Sequence, residues 1–361
     1  MEVCSQNMSD PCSILLKLVG NKCNMVCEYC SELPKQYGKE QCLFDRNKIF
    51  QILRNAPKDA EIILHGGEPT LIGIEKLSDI VRLIKSLDFS STPSIQTNGF
   101  LGDCWIDFFK ENSSSLRISI SIDGNRVCNG YRKARNADAD ETFDTVLCFI
   151  NKLDAAGIEF RCIATINSLS WDKGKDILAF FQRFRHLKFL KLNPCFDIEE
   201  NGLKPWAITP SQYLKCLIDV FHAMLELKTY EKFKLDPIMD IISHLEVVFH
   251  ALEFKCDKFR SVYPGGLVTP CDVMDETTLC SITLEHIFDS QQLAPYIEAE
   301  LAECELCENL SICAGGCPSL KSQYRRFNPT LLSEYCDYRV KIRDYLKAFI
   351  AKGEQKECPS A

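Results

Sequence analysis

Ser13-Ile-Leu-Leu-Lys-Leu-Val19, then Gly20-Asn-Lys, then Cys23-Asn-Met-Val-Cys27-Glu-Tyr-Cys30 is the stretch from which the chain is read. A β-rich run ends in a loop that packs three thiols into eight residues. Three cysteine ligands on a four-iron cubane leave one iron open for a chelating ligand, whereas electron-transfer ferredoxins close every site with four cysteines. A zinc knuckle is the alternative, but it needs a fourth ligand, and no further His or Cys stands close by in the sequence.

Outward from that loop, short β-rich runs alternate with longer helical patterns, the rhythm of βα units on a parallel sheet. Strands are expected at Ser13 to Val19, Glu61 to His65, Ser94 to Thr97, Leu116 to Ile122, Ile158 to Ile166 and Lys188 to Asn193. Helices are expected between them, among others at Phe44 to Leu53, Ile72 to Leu87 and Thr142 to Ala155, with later ones at Pro210 to Leu227 and Pro237 to Leu252. Six units are too few to close an eight-stranded barrel. The expectation is an α/β partial (β/α)6 TIM-like barrel with reactive residues just past the C-terminal ends of its strands. The rhythm stops near residue 235, so the chain divides into an N-terminal extension (1–12), the partial barrel (13–235) and a cysteine-rich C-terminal domain ending in a helix (236–361).

The later motifs meet that strand-end test. His65-Gly66-Gly67-Glu68-Pro69 follows the second strand, Gln96-Thr97-Asn98-Gly99 ends the third, Ser119 and Ser121-Ile122-Asp123-Gly124 end the fourth, and Ala164-Thr165-Ile166-Asn167 ends the fifth. With the CxxxCxxC loop, this order resembles the radical S-adenosylmethionine (radical SAM) superfamily. The resemblance implies a [4Fe-4S] cluster on Cys23, Cys27 and Cys30 with S-adenosylmethionine chelated to its open iron. It further implies that the backbone of Gly66 and Gly67 with Glu68 holds the methionine amino group, glycine suiting close approach of backbone to a ligand. Tyr29 would meet adenine through its backbone, Asn98 and Ser121 would line the cofactor, and Ser119 and Asp123 would contact ribose or methionine. Arg132 would pair with the carboxylate through a bidentate fork, and Ile166 would flank adenine.

A second cysteine region follows: Cys256, nine residues, Gly266, four residues and Cys271; then Cys304-x2-Cys307-x5-Cys313-x3-Cys317; and finally Cys336. This spacing resembles the SPASM extension of peptide-modifying radical SAM enzymes. Carried over, Cys304, Cys307, Cys313 and Cys336 would ligate a distal auxiliary [4Fe-4S] cluster, and Cys256, Cys271 and Cys317 a nearer one, making three clusters in all. Some relatives supply a fourth ligand to the nearer cluster six residues before Cys256; here that residue is His250. Asp272 directly follows Cys271, the place where sulfatase maturases of this family carry a general base. The ten ligand cysteines leave eleven of the 21 over, which read as buried apolar side chains or surface thiols; among them Cys195 follows the sixth strand and should face the barrel mouth.

Composition narrows the function classes. At 361 residues and 46% hydrophobic, the chain can bury a large core. With a net charge of −8 and scattered Lys and Arg, it builds no basic stripe for nucleic-acid phosphates. No apolar run approaches the roughly 20 residues of a membrane span, and the N-terminus lacks a secretory pattern, so a cytoplasmic, membrane-free protein is expected. In a reducing compartment 21 cysteines speak for metal rather than disulfides.

The resemblance implies hydrogen abstraction by a 5′-deoxyadenosyl radical, with the leftover electron passing to an auxiliary cluster and a flavodoxin or ferredoxin as reductant. Two peptide- or protein-directed reactions compete. One installs a thioether or carbon-carbon crosslink in a ribosomally made peptide; the other oxidises a Ser or Cys of a sulfatase to formylglycine. The compact chain and Cys271-Asp272 favour the second. His65 and Ser31, where sulfatase maturases usually have glutamine and an aromatic residue, favour the first, and crosslinking is the preferred expectation. Only 22 residues precede Cys23, so recognition of a peptide leader would fall to another surface or to a separate leader-binding protein. A non-catalytic iron-sulfur carrier is the reading from another class; it has no need of the cofactor motifs.

Overall fold

The computed structural model describes residues 12–35, 45–249, 259–269, 271 and 294–354. In chain order the first half contains β1 (Ser13–Lys17), α1 (Arg46–Leu53), β2 (Glu61–His65), α2 (Ile74–Ser86), β3 (Ser94–Thr97), α3 (Cys104–Glu111), β4 (Arg117–Ser121), α4 (Ala139–Ala155), β5 (Phe160–Ile166), α5 (Gly174–Gln182) and β6 (Leu187–Pro194). The six strands start and stop within three residues of the expected positions. After β6 come a small hairpin, β7 (Ile198–Glu199) and β8 (Gly202–Leu203), then α6 (Pro210–Leu227), β9 (Lys234–Asp236), α7 (Ile238–Ser243), β10 (Phe259–Val262) and β11 (Val268–Thr269). Four helices follow: α8 (Ala294–Glu305), α9 (Leu310–Cys313), α10 (Pro318–Phe327) and α11 (Pro329–Glu354).

The strands form one nine-stranded sheet in the order β11-β10-β1-β2-β3-β4-β5-β6-β9, parallel except at β10-β11, and open because β11 and β9 do not pair. Alternation explains the strands: β5 runs Phe160 to Ile166 with every second side chain buried. Helical spacing explains the covering layer. In α2 the buried residues Leu77, Ile80, Val81 and Ile84 recur at i, i+3, i+4 and i+7 and press one stripe onto the sheet. Burying each such side chain contributes about 1.5–3 kcal/mol. Helix α6 starts at the predicted residue because Thr209 and Gln212 form a reciprocal capping box and Pro210 takes the first helical position.

Two expectations meet a different structure. The sheet runs past the boundary placed at 235–236: β10 pairs in parallel with β1, from Ser13 opposite Phe259 to Leu16 opposite Val262. A four-residue strand carries too little pattern to be seen in sequence. The helix expected from Pro237 to Leu252 ends at Ser243. There the guanidinium of Arg343, on α11, donates to the carbonyls of His244 (2.7 Å), Leu245 (3.2 Å) and Val247 (3.0 Å), holding them as a turn. Beyond the sheet, Tyr324 and Tyr335 pack with Ile198 and Leu331 in a small second core that Phe196, just after β6, joins to the first. No helix among the described residues is long and apolar enough to cross a membrane.

Candidate active site

The three-cysteine loop leaves the C-terminal end of β1 and is held there by backbone pairing. Val26 N–H donates to Lys133 O (2.8 Å), Glu28 N–H to Tyr131 O (3.0 Å) and Arg135 N–H to Asn24 O (2.9 Å), an antiparallel ribbon between the loop and residues 131–135. Arg135 adds a side-chain bond from Nε to Cys23 O at 2.9 Å. From the end of β3, the Asn98 amide donates to Asn24 Oδ1 (2.7 Å) and approaches Cys23 Sγ at 3.6 Å. Cys23, Cys27 and Cys30 are partly exposed free thiols. Burial pushes Cys23 up to about 11 and raises Cys27 as well, so metal must displace their protons. Among the described residues no three His, Cys, Asp or Glu side chains converge on one ion position; cysteines on a cubane each take a different iron and stand wider apart.

The glycines after β2 are also tied to the protein's own backbone. Gly67 N–H donates to Gly20 O (2.9 Å) and Glu68 N–H to Lys22 O (2.8 Å). A Cβ on Gly67 would lie 1.9 Å from Lys22 O, and one on Gly66, whose φ is +116°, 2.7 Å from Gly20 O. The glycines are therefore required by the backbone entering the cysteine loop. Glu68 is fully buried and its carboxylate accepts from Thr70 N (3.1 Å), Thr70 Oγ1 (2.7 Å), Thr97 Oγ1 (2.9 Å) and Asn98 N (2.7 Å). It ties the ends of β2 and β3 together. Desolvation raises its pKa although all four donors oppose the shift.

Partly buried Tyr29 and buried Asp123 and Arg132 form a triad across the sheet top. The Tyr29 hydroxyl donates to Asp123 Oδ2 and accepts from Arg132 Nη1 (3.3 Å). Asp123, also fully buried, accepts in addition from Thr165 N (2.9 Å) and Asn167 Nδ2 (3.4 Å). Desolvation raises the Asp123 pKa, with Arg132 and Tyr29 pulling the other way. Burial alone would lower Arg132; its anionic surroundings more than reverse that. Three details add to the expectation. Tyr29 takes part through its hydroxyl, and Asp123 points into the protein with both oxygens engaged. Arg132 has Nη1 bonded to the Tyr29 hydroxyl, while Nη2 is buried without a hydrogen-bond partner. Ser119 lies within β4 opposite Gln96 of β3, and Ser121, the last residue of β4, receives the Gln96 amide at 3.5 Å. Ile166 is buried on β5 and its carbonyl accepts from Cys195 N at 2.9 Å. Cys195 itself is buried, and burial raises its thiol pKa far above the ordinary value.

At the C-terminal end, Cys336 is raised by burial and then by the neighbouring sulfurs of Cys313, Cys304 and Cys307, with Lys321 opposing. The four cysteines expected at the distal cluster are thus neighbours. The Lys321 ammonium, 5% exposed, donates to Cys304 Sγ at 2.7 Å, and Arg339 donates from Nη2 to Cys313 O at 2.8 Å. The Cys317 backbone N–H donates to the Tyr335 hydroxyl (2.9 Å), and burial raises its thiol pKa with Arg339 opposing. Cys271 is partly exposed beyond β11, its carbonyl accepting from Thr269 Oγ1 at 3.2 Å. Cys256, Asp272 and His250 lie outside the described residues. Lys321 and Arg339 were missed by sequence reasoning; the signal available was a lysine four residues after Cys317 on an otherwise polar helix.

The residues at the sheet top fit the group that the sequence implies. Three thiols share one loop, and an arginine nitrogen that is buried without a partner lies behind it, a place for a carboxylate. The open parallel sheet carries such a loop after its first strand, and residues 18–181 match the Radical SAM superfamily. The chain carries that superfamily's domain, and its further likeness is to maturases. It is 26% identical over 331 residues to a cysteine-type anaerobic sulfatase-maturating enzyme of Clostridium novyi, covering 84% of this chain and 87% of that one. Among solved structures, the anaerobic sulfatase-maturating enzyme anSMEcpe with bound AdoMet superposes with a TM-score of 0.70 at 21% identity, covering 93% of this chain and all of that one. SuiB of Streptococcus suis superposes with a TM-score of 0.60 at 15% identity, over 85% of this chain and 73% of its own. These two superpositions show a shared fold.

Proposed function

We propose that this chain is a radical SAM maturase that oxidises a cysteine or serine of a protein substrate to formylglycine, by the chemistry of the anaerobic sulfatase-maturating enzymes. The observation that carries the reading is the reach of the likeness to the Clostridium novyi enzyme, which spans 87% of that protein and extends well past the radical SAM domain. It turns the preference drawn from His65 and Ser31. In the structure His65 Nδ1 lies 3.2 Å from Lys17 Nζ, and Lys17 pairs with Glu32 at 3.2 Å. The departure at His65 thus stands beside the buried Lys17–Glu32 pair.

Bound to the first cluster, S-adenosylmethionine would supply the hydrogen-atom abstraction. Cys23, Cys27 and Cys30 would hold that cluster, and Arg132 Nη2 would receive the methionine carboxylate, with Tyr29 and Asp123 fixing its direction. Asn98, Ser119, Ser121 and the backbone of residues 66–68 and 166 would form the remaining walls. Cys304, Cys307, Cys313 and Cys336 would hold a distal auxiliary cluster, and Cys256, Cys271 and Cys317 the nearer one. Asp272 would take the proton released in oxidation, and a flavodoxin or ferredoxin would deliver the electron that starts each turnover.

The test is anaerobic turnover of reconstituted protein on sulfatase-derived peptides bearing Cys or Ser at the target position, read by mass spectrometry before and after an aldehyde trap. A trapped aldehyde at that residue is expected. A peptide that loses two hydrogens, traps nothing and resists fragmentation between two residues would replace this reading with crosslinking.

A further inference from the structure

The four neighbouring cysteines at the C-terminal end are accompanied by an uncompensated positive charge. Lys321 sits in the first turns of α10, which Pro318 opens directly after Cys317. Its ammonium is almost wholly buried, its hydrogen-bond partner is Cys304 Sγ at 2.7 Å, and among the described residues no carboxylate pairs with it. A second cation also reaches the set. Arg339 on α11 is committed through Nη2 to Cys313 O, while its Nε is buried without a partner. An ammonium taken out of water needs an anion beside it, because its desolvation penalty is otherwise several kcal/mol. Protonated thiols do not provide one. A cluster held by four thiolates does, since its total charge is negative in both of its ordinary oxidation states.

We propose that Lys321 is the charge-compensating residue of the distal auxiliary cluster and sets its reduction potential, holding it above the value the four cysteines alone would give. Hydrogen bonds to cluster sulfurs and nearby positive charge both favour the reduced state, and Lys321 supplies the two at once. One-electron reduction adds one negative charge within reach of a fixed ammonium. The consequence for the enzyme is direction: the C-terminal cluster becomes a better acceptor for the electron left over from substrate oxidation. The inference rests on reading Cys304, Cys307, Cys313 and Cys336 as cluster ligands.

The experiment uses the full chain in a background where Cys23, Cys27 and Cys30 are alanine, reconstituted anaerobically, with iron and sulfide counted and midpoint potentials followed by EPR-monitored redox titration. In Lys321→Met one midpoint should move to a more negative potential while the other auxiliary signal stays in place, and Lys321→Arg should leave both near the parent values. Loss of one cluster's iron in Lys321→Met with retention in Lys321→Arg would support the same role, the charge then being needed for the cluster to bind at all. Unmoved midpoints with full iron in Lys321→Met, or equal iron loss in both variants, would overturn the proposal. The underlying ligand reading fails separately: Cys304→Ala with Cys313→Ala and Cys336→Ala would then bind as much iron as the parent.

Discussion

Changing Gly67 to alanine would set a methyl carbon 1.9 Å from a backbone carbonyl of the segment that feeds the cysteine loop. Backbone cannot yield as a side-chain tip can, so Gly67→Ala is expected to cost about 3 kcal/mol or more and to lower iron in the first cluster, checked by urea unfolding and by iron content. Arg132→Lys keeps the charge and loses the planar fork; S-adenosylmethionine affinity should fall at least tenfold, measured by equilibrium dialysis, with little change in iron. Glu68 yields a prediction in pH. Its folded pKa is raised by burial, so below the unfolded value both states hold the proton. As pH rises past it, the unfolded chain releases the proton first and the native protein loses stability until the folded value is passed. The stability of Glu68→Gln relative to the natural protein should therefore climb through that window and be flat on either side, whatever constant offset the amide imposes. What sequence showed at this scale was residue type and order. It could not show that Asp123 faces inward or that Gly66 and Gly67 answer to Gly20 and Lys22, because those facts depend on which backbone lies opposite.

Elements were more legible than their ends. The strands β1 to β6 announced themselves because alternation and strand-helix rhythm are local properties, and α6 because its cap is written in four consecutive residues. Thr209→Ala should remove about 1 kcal/mol, visible as a lower denaturation midpoint with an unchanged slope. The early end of α7 could not be read, since the arginine that holds the carbonyls after it lies on α11, far along the chain. The ribbon between residues 24–28 and 131–135 belongs to the same kind: neither side has strand character of its own, and each is extended because the other is there. Through it, Arg132 and the cysteine loop keep a fixed spacing.

At the scale of the whole molecule, the sheet joins what composition divided. The barrel reading needed only residues 13–235, yet β1 has β10 as its neighbour on the side away from β2. A chain cut after residue 235 would leave the edge of β1 unpaired, and such edges recruit other chains. That fragment is expected in the insoluble fraction where the full chain is soluble, and sedimentation of the two expressed side by side checks it. The same pairing sets a timetable for synthesis. The strand that carries the cysteine loop is made first, and its partner emerges only when the ribosome reaches Phe259. Until then one edge of that strand stands bare, exposed to neighbouring nascent chains. Slow elongation through the residues before β10 would therefore lengthen the time for which that edge can recruit another chain.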